Sequence, residues 1–120
     1  MTNKPIYAVV VTYNRKELLT NLLSIKSDNL NILIVDNAST DGTSEYISSL
    51  IGEKVYYHPL TENIGGAGGF SYGIKKAVEM GAYYIWVMDD DCMASKSSLD
   101  ALLNKASELN DNFGFLSSVV

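Results

Sequence analysis

The chain is poor in several residue types, and each shortage removes a class of function. A single cysteine, Cys92, excludes an internal disulfide and fits a reducing compartment. With only one histidine, His58, beside it, a structural zinc site has no ligand set. Nine Lys and Arg stand against fourteen Asp and Glu, for a net charge of −5 and a pI near 4.6. That balance argues against nucleic acid as a partner, which would call for a basic surface. No apolar run reaches the roughly 18 residues of a membrane span. Met1-Thr2-Asn3-Lys4-Pro5 leads into a strand-like run without a small-residue cleavage site. The expected location is therefore cytoplasmic, with any membrane contact of a full-length protein peripheral and on the inner face.

What the chain does have is enough apolar residue for a core: 47% of 120 residues, an ordinary size for one domain. Ile6 to Thr12 is β-rich and continuously apolar, the pattern of a strand covered on both faces. Asn31–Val35, Val55–His58 and Tyr83–Met88 read as three further strands. Leu18, Leu19, Leu22, Leu23 and Ile25 mark a helix from Arg15 to about Ile25. A short helix is predicted around Thr43–Leu50, with Ser39 and Thr40 able to cap it. A glycine-opened helix carries Phe70, Ile74, Ala77 and Val78 on its apolar positions and stops at Gly81. A last helix spans roughly Ser98–Leu109, and Gly114 to Val120 resembles a fifth strand. Strands alternating with helices mean parallel βαβ units in an α/β fold. The sheet is still growing at the last residue, so the pattern reads as the front part of a larger domain.

Four polar or glycine-rich clusters each follow a predicted strand: Thr12-Tyr13-Asn14-Arg15, Asp36 to Asp41, Asn63 to Gly69, and Asp89-Asp90-Asp91. In a parallel sheet all four lie along the carboxyl edge, where open α/β sheets bind ligands. The three adjacent carboxylates repel one another unless a cation or solvent neutralises them. Hard oxygen donors of that kind suit Mg²⁺ or Mn²⁺, commonly shared with a phosphate. The glycine run is not a Walker A loop, because Ile74 occupies the lysine position, and it lacks the G-x-G-x-x-G dinucleotide spacing. It still offers close backbone approach and N–H donors to an anion. Asp36 is suited either to a nucleobase N–H or ribose hydroxyl, or to capping the following turn. Arg15 suits either a diphosphate or the solvated first turn of its helix. Tyr83, Tyr84 and Trp86 read as packing residues, His58 as a strand-end residue, and Cys92 as a small packed hydrophobe.

Val11-Thr12-Tyr13-Asn14-Arg15, Ile34-Val35-Asp36-Asn37-Ala38-Ser39-Thr40-Asp41-Gly42-Thr43, Glu62 to Gly69 and Met88-Asp89-Asp90-Asp91 stand in an order that resembles glycosyltransferase family 2. The likeness runs over essentially the whole chain and is nearest to the rhamnosyltransferase and galactofuranosyltransferase branch. It implies a truncated GT-A fold, residues 1–120 being the donor-binding half, with helices on both faces of a parallel sheet. It further implies a UDP- or dTDP-sugar donor, a glycan or glycolipid acceptor in cell-wall or polysaccharide synthesis, and inversion at the anomeric carbon. By the resemblance, Thr12, Tyr13 and Asn14 line the nucleobase pocket, with Arg15 beside them, and Asp36 or Asn37 bonds the base. Asn63, Gly65, Gly66, Gly68 and Gly69 border the donor, and Asp90 lies near the ribose or diphosphate. Asp91 and Asp89 hold Mn²⁺ or Mg²⁺. The family's catalytic base lies well downstream of this D-x-D motif; Asp100, Glu108 and Asp111 are not in a position to replace it, so no catalytic residue is expected in this chain.

Two other classes remain open at this point. An aspartate-dependent phosphatase or phosphotransferase would want its acidic pair after an early strand, whereas Asp89–Asp91 come late and lead into Cys92-Met93-Ala94. A non-catalytic nucleotide-binding or assembly module would fit the missing base. An incomplete sheet also leaves an edge open to self-association, which is compatible with a homo-oligomer.

Overall fold

The computed structural model describes residues 4–15, 29–50 and 54–89, and helical positions 102, 104, 105 and 108. The expected helix after Arg15, the rest of the one over Ser98–Leu109, the strand-like tail, Asp90, Asp91 and Cys92 lie outside these residues. Among the described residues, besides those last helical positions, the elements run in the order β1 (Ile6–Thr12), β2 (Leu30–Asp36), α1 (Thr43–Leu50), β3 (Val55–Pro59), α2 (Gly65–Glu79) and β4 (Tyr84–Asp89).

The described strands form one parallel sheet in the order β3-β2-β1-β4. The chain steps outward from β1 to β3, then crosses back to place β4 on the other side of β1. Parallel crossovers are right-handed, so reversing the direction of travel must move the connecting helix to the opposite face. That is where the helices are. Ile47 of α1 packs with Ile6, Ala8, Val10, Ile32, Ile34 and Met88 on one face. Ala77 of α2 packs with Tyr7, Val9 and Leu33 on the other. β1 and β2 lie between the two layers, which is why Val9, Leu33 and Val35 have no exposed surface and why these strands read as unbroken apolar runs. Full burial of each such side chain contributes about 1.5–3 kcal/mol.

Most strand limits agree with the sequence pattern to within one residue. β2 gains Leu30 and Asp36, β3 gains Pro59, and β4 starts at Tyr84 and includes Asp89. Tyr83 instead precedes β4, half exposed, with its ring edge-on to Tyr84 at 4.9 Å. Trp86 and Tyr84 pack against the α1-side core.

The buried face of α2 matches the expected one only in part: Ala77 is buried with Phe70 packed beside it, but the rest of the face is different. Gly69, Gly73 and Ala77, spaced i, i+4, i+8, face the sheet, whereas Ile74 and Val78 are 37% and 61% exposed. A stripe of small residues lets the helix backbone sit closer to the sheet than large apolar residues would allow. The far end of α2 closes as a Schellman motif: Gly81 N–H bonds Val78 O at 3.1 Å and Ala82 N–H bonds Ala77 O at 3.0 Å. Gly81 takes the left-handed conformation this requires, φ +97°.

Candidate functional site

Register brings the strand ends together. Thr12 pairs with Asp36, Asp36 with Pro59, and Val11 with Asp89. The reversal of strand order falls between β1 and β4, the kind of point outside which α/β sheets leave a ligand crevice. Asp36 and Asp89 therefore end neighbouring parts of one edge.

Three loops leave that edge already tied to each other. After β1, Asn14 adopts φ +53°, a conformation asparagine tolerates better than most residues. Its N–H donates to Ser39 Oγ at 2.9 Å, and its Oδ1 accepts from Thr40 N–H at 2.7 Å. Asn37 N–H donates to Thr12 O at 2.9 Å, binding the β1 and β2 ends once more. The Asn37 side chain then reaches the third loop. Its Nδ2 donates to Gly65 O at 3.1 Å and its Oδ1 accepts from Ile64 N–H at 3.2 Å. These bonds fix the start of α2, where Asn63 Oδ1 accepts from Gly65 N–H at 2.8 Å.

Asp36 sits at the centre of this arrangement and is almost fully buried, 2% exposed. Its Oδ1 accepts from Ser39 N–H at 2.9 Å, and its Oδ2 accepts from the Tyr57 hydroxyl at 2.5 Å. Burial, followed by the bond to Asp36, pushes the Tyr57 hydroxyl well above its ordinary range, so it remains a donor. Beside these groups an open depression is lined by Ser39, Thr40, Gly42, Ser44, Glu45 and Tyr46. Helix α1 is capped by Asp41, whose carboxylate accepts from the N–H and the hydroxyl of Thr43. Ser39 and Thr40, the expected caps, both bond Asn14 instead, Ser39 through its hydroxyl and Thr40 through its N–H.

The expected site residues thus divide by what the structure has them do. Thr12 and Asp36 are buried at the edge, Tyr13 is 48% exposed, and Arg15 is exposed. Asn14 and Asn37 both join loops through their side chains: the Asn37 amide bonds Ile64 N–H through its oxygen and Gly65 O through its nitrogen. The glycines also divide. A Cβ on Gly65 or Gly66 would meet nothing within 4 Å, and both are exposed, so the backbone there is open to approach. Gly69 is different: its Cβ would lie 2.7 Å from Val11 Cγ1 and 3.2 Å from Asn37 Nδ2. It is a packing glycine, placed under the helix and away from the open loop. Gly68 is crowded in turn by Ile64 at 3.0 Å. The first turn of α2 carries no acidic residue and its N-cap, Ile64, makes no side-chain cap bond. His58 stays a strand-end residue, edge-on to Tyr72 at 6.2 Å, with burial and then Lys76 holding its pKa below the usual value.

For a divalent cation, the chain's own donor set is aspartate oxygen. Among the described residues no three His, Cys, Asp or Glu groups cluster around a metal-sized gap. The backbone of Asp89 ends β4 beside Val11 at the strand-order reversal, and Asp90 and Asp91 follow it in sequence. Carboxylate oxygens are hard donors of the kind Mg²⁺ or Mn²⁺ takes.

Among the described residues, Tyr57 is a hydrogen-bonding member of this site that the sequence pattern did not single out. Val55-Tyr56-Tyr57-His58 shows only a strand; which tyrosine faces Asp36 depends on the β2–β3 register. The Asn37 clamp yields an expected outcome. Asn37→Asp replaces the donor facing Gly65 O with a carboxylate oxygen, which repels it. The loss should be about 1–3 kcal/mol of stability, with faster amide hydrogen exchange at Ile64. Unchanged exchange there would show that the loop is held by something else.

The sequence model of the family described as Glycosyl transferase family 2 matches residues 7–116. Galactofuranosyltransferase GlfT1 of Mycolicibacterium smegmatis is 38% identical over 92 residues, which cover 72% of this chain and 30% of GlfT1. The dTDP-rhamnosyl transferase RfbF of Shigella flexneri is 34% identical over 91 residues, covering 74% of this chain and 30% of RfbF. Among solved structures, the mannosyltransferase PcManGT of Pyrobaculum calidifontis, in complex with GDP-Man and Mn²⁺, superposes with a TM-score of 0.69 at 23% identity. That match covers 88% of this chain and 33% of PcManGT. The chain spans 30% of the length of each of these two curated relatives.

Proposed function

Because this chain belongs to glycosyl transferase family 2, in the branch with galactofuranosyl- and rhamnosyltransferases, we propose that it is the donor-binding part of an inverting sugar transferase. In this reading the donor lies along the tied carboxyl edge of the GT-A fold. The donor is a nucleotide-diphosphate sugar, UDP- or dTDP-linked, and the acceptor is a hydroxyl of a glycan or glycolipid in envelope polysaccharide synthesis. The observation that carries this reading is the buried Asp36 carboxylate at the meeting point of three mutually bonded loops, beside the open start of α2.

In this reading Asp36 accepts a nucleobase N–H, with Thr12 and Tyr13 lining the base and Arg15 reaching the diphosphate. The exposed backbone of Asn63, Gly65 and Gly66 borders the rest of the nucleotide, and Asn14 and Asn37 position the loops. Asp89 and Asp91 would hold Mn²⁺ or Mg²⁺, with Asp90 toward the ribose or diphosphate. The cation supplies charge neutralisation to the leaving nucleoside diphosphate. The anomeric carbon exchanges its bond to the phosphate oxygen for one to the acceptor oxygen, attacked from the opposite face. A general base that takes the acceptor proton contributes about 10²–10⁴-fold; we place it outside these 120 residues. Residues 1–120 alone would therefore bind donor without transferring sugar. Among the described residues no helix is long and apolar enough to cross a membrane, and we place the protein in the cytoplasm or at the inner membrane face, where such donors are made.

Calorimetric titration with UDP, dTDP and GDP, each with Mn²⁺ and with EDTA, tests the reading. A uridine or thymidine diphosphate should bind, and more tightly with Mn²⁺. Absence of binding to every nucleotide would refute it. The phosphotransferase alternative is set aside by family membership. A purely non-catalytic module would bind nucleotide equally well but leave the full-length protein unable to glycosylate any acceptor.

A further inference from the structure

The geometry points to Tyr57 as a positioning residue that holds the Asp36 carboxylate in the orientation a nucleobase N–H requires. This rests on the reading of Asp36 given above and adds a residue to it. Tyr57 pairs with Ile34 on β2, two positions before Asp36 in the register. Two residues of strand span about 6.6 Å, a distance a tyrosine leaning along the strand can bridge. Its ring packs on the α1-side core, and its hydroxyl donates to Asp36 Oδ2 at 2.5 Å.

The opposite carboxylate oxygen is taken by Ser39 N–H at 2.9 Å. With one donor on each oxygen, rotation about the Asp36 side chain would break at least one bond, so the carboxylate plane is set before any ligand arrives. Each carboxylate oxygen keeps a second lone pair for an incoming donor. Binding to a carboxylate that is already oriented avoids the ordering cost a free one would incur.

Tyr57→Phe removes the hydroxyl and keeps the ring in the core. In the full-length protein with Mn²⁺, calorimetry on whichever of UDP, dTDP and GDP binds best should show roughly tenfold weaker affinity, as expected for a hydrogen bond to a charged group. In an Asp36→Asn background the same substitution should change affinity by less than about twofold, because the residue acts through the carboxylate. Methyl diphosphate, which has no base, should bind the wild type and Tyr57→Phe alike. An equal loss in the Asp36→Asn background, an equal loss for methyl diphosphate, or no loss at all would overturn the role of Tyr57. If Asp36→Asn itself leaves nucleotide affinity unchanged, the reading of Asp36 fails and this role fails with it.

Discussion

Asp91→Asn is expected to reduce nucleotide affinity in Mn²⁺ to the level measured in EDTA, and to lower sugar transfer by the full-length protein by about 10²-fold or more. Asparagine has nearly the same shape but no charge, and its amide is a poor ligand for a hard divalent cation. Without the cation, the diphosphate would approach three adjacent carboxylates, Asp89, Asp90 and Asp91, and like charges at such spacing repel. A metal ion stabilises the charge that develops on the leaving diphosphate by several kcal/mol, and each 1.36 kcal/mol is about a factor of ten in rate. The fold should be intact, since Asp91 lies beyond the four described strands and helices α1 and α2. Titration with and without EDTA, alongside circular dichroism, checks both halves. Affinity that ignores EDTA and the substitution alike would remove the cation from the site.

Gly73→Val is expected to lower the thermal midpoint by roughly 10–20 °C. A Cβ at this position would overlap Val9 Cγ1 and stand 3.1 Å from Val35 Cγ2. Val9 and Val35 are completely buried, so neither has free space into which to rotate, and α2 must lift from the sheet. Overpacking of this kind costs about 1–3 kcal/mol, occasionally more, and valine adds two further methyl groups beyond the Cβ. The gain from replacing a mid-helix glycine is smaller, under ~1 kcal/mol, so the clash wins. A loss of about 2.5 kcal/mol corresponds to the stated shift at about 4–8 °C per kcal/mol. Gly66→Ala is the matched comparison. Its Cβ would meet nothing, so its midpoint should hold or rise. Equal midpoints for the two variants would mean that α2 does not sit against Val9 as described.

The division between these two glycines shows where sequence reading reaches its limit. Gly65, Gly66, Gly68, Gly69 and Gly73 are the same residue in one stretch, and all look equally suited to approach a ligand or to pack. Helical periodicity offers two competing faces for α2, one through Ile74 and Val78 and one through Gly69, Gly73 and Ala77. Hydrophobicity favours the first, yet the second is buried. The choice is made by the distance between helix and sheet, and small residues allow the closer approach. The same limit explains the asparagines. Asn37 meets Ile64 and Gly65 across 27 and 28 residues of chain, and Tyr57 meets Asp36 across 21. Side-chain hydrogen bonds of that range leave no trace in local spacing.

What the sequence by itself determined was local and periodic. Apolar, β-rich runs placed β1 to β4 to within one residue or so at each end, and β1 and β2 read most plainly because strands covered on both faces need apolar side chains at every position. The polar clusters behind them had to share one edge, because parallel strands point the same way. Only the tertiary structure decided the order β3-β2-β1-β4, which face of α2 is buried, and which polar groups at that edge are already engaged with each other. Those outcomes depend on register and on close packing between distant segments, where shifting a strand by one residue turns every side chain to the other face.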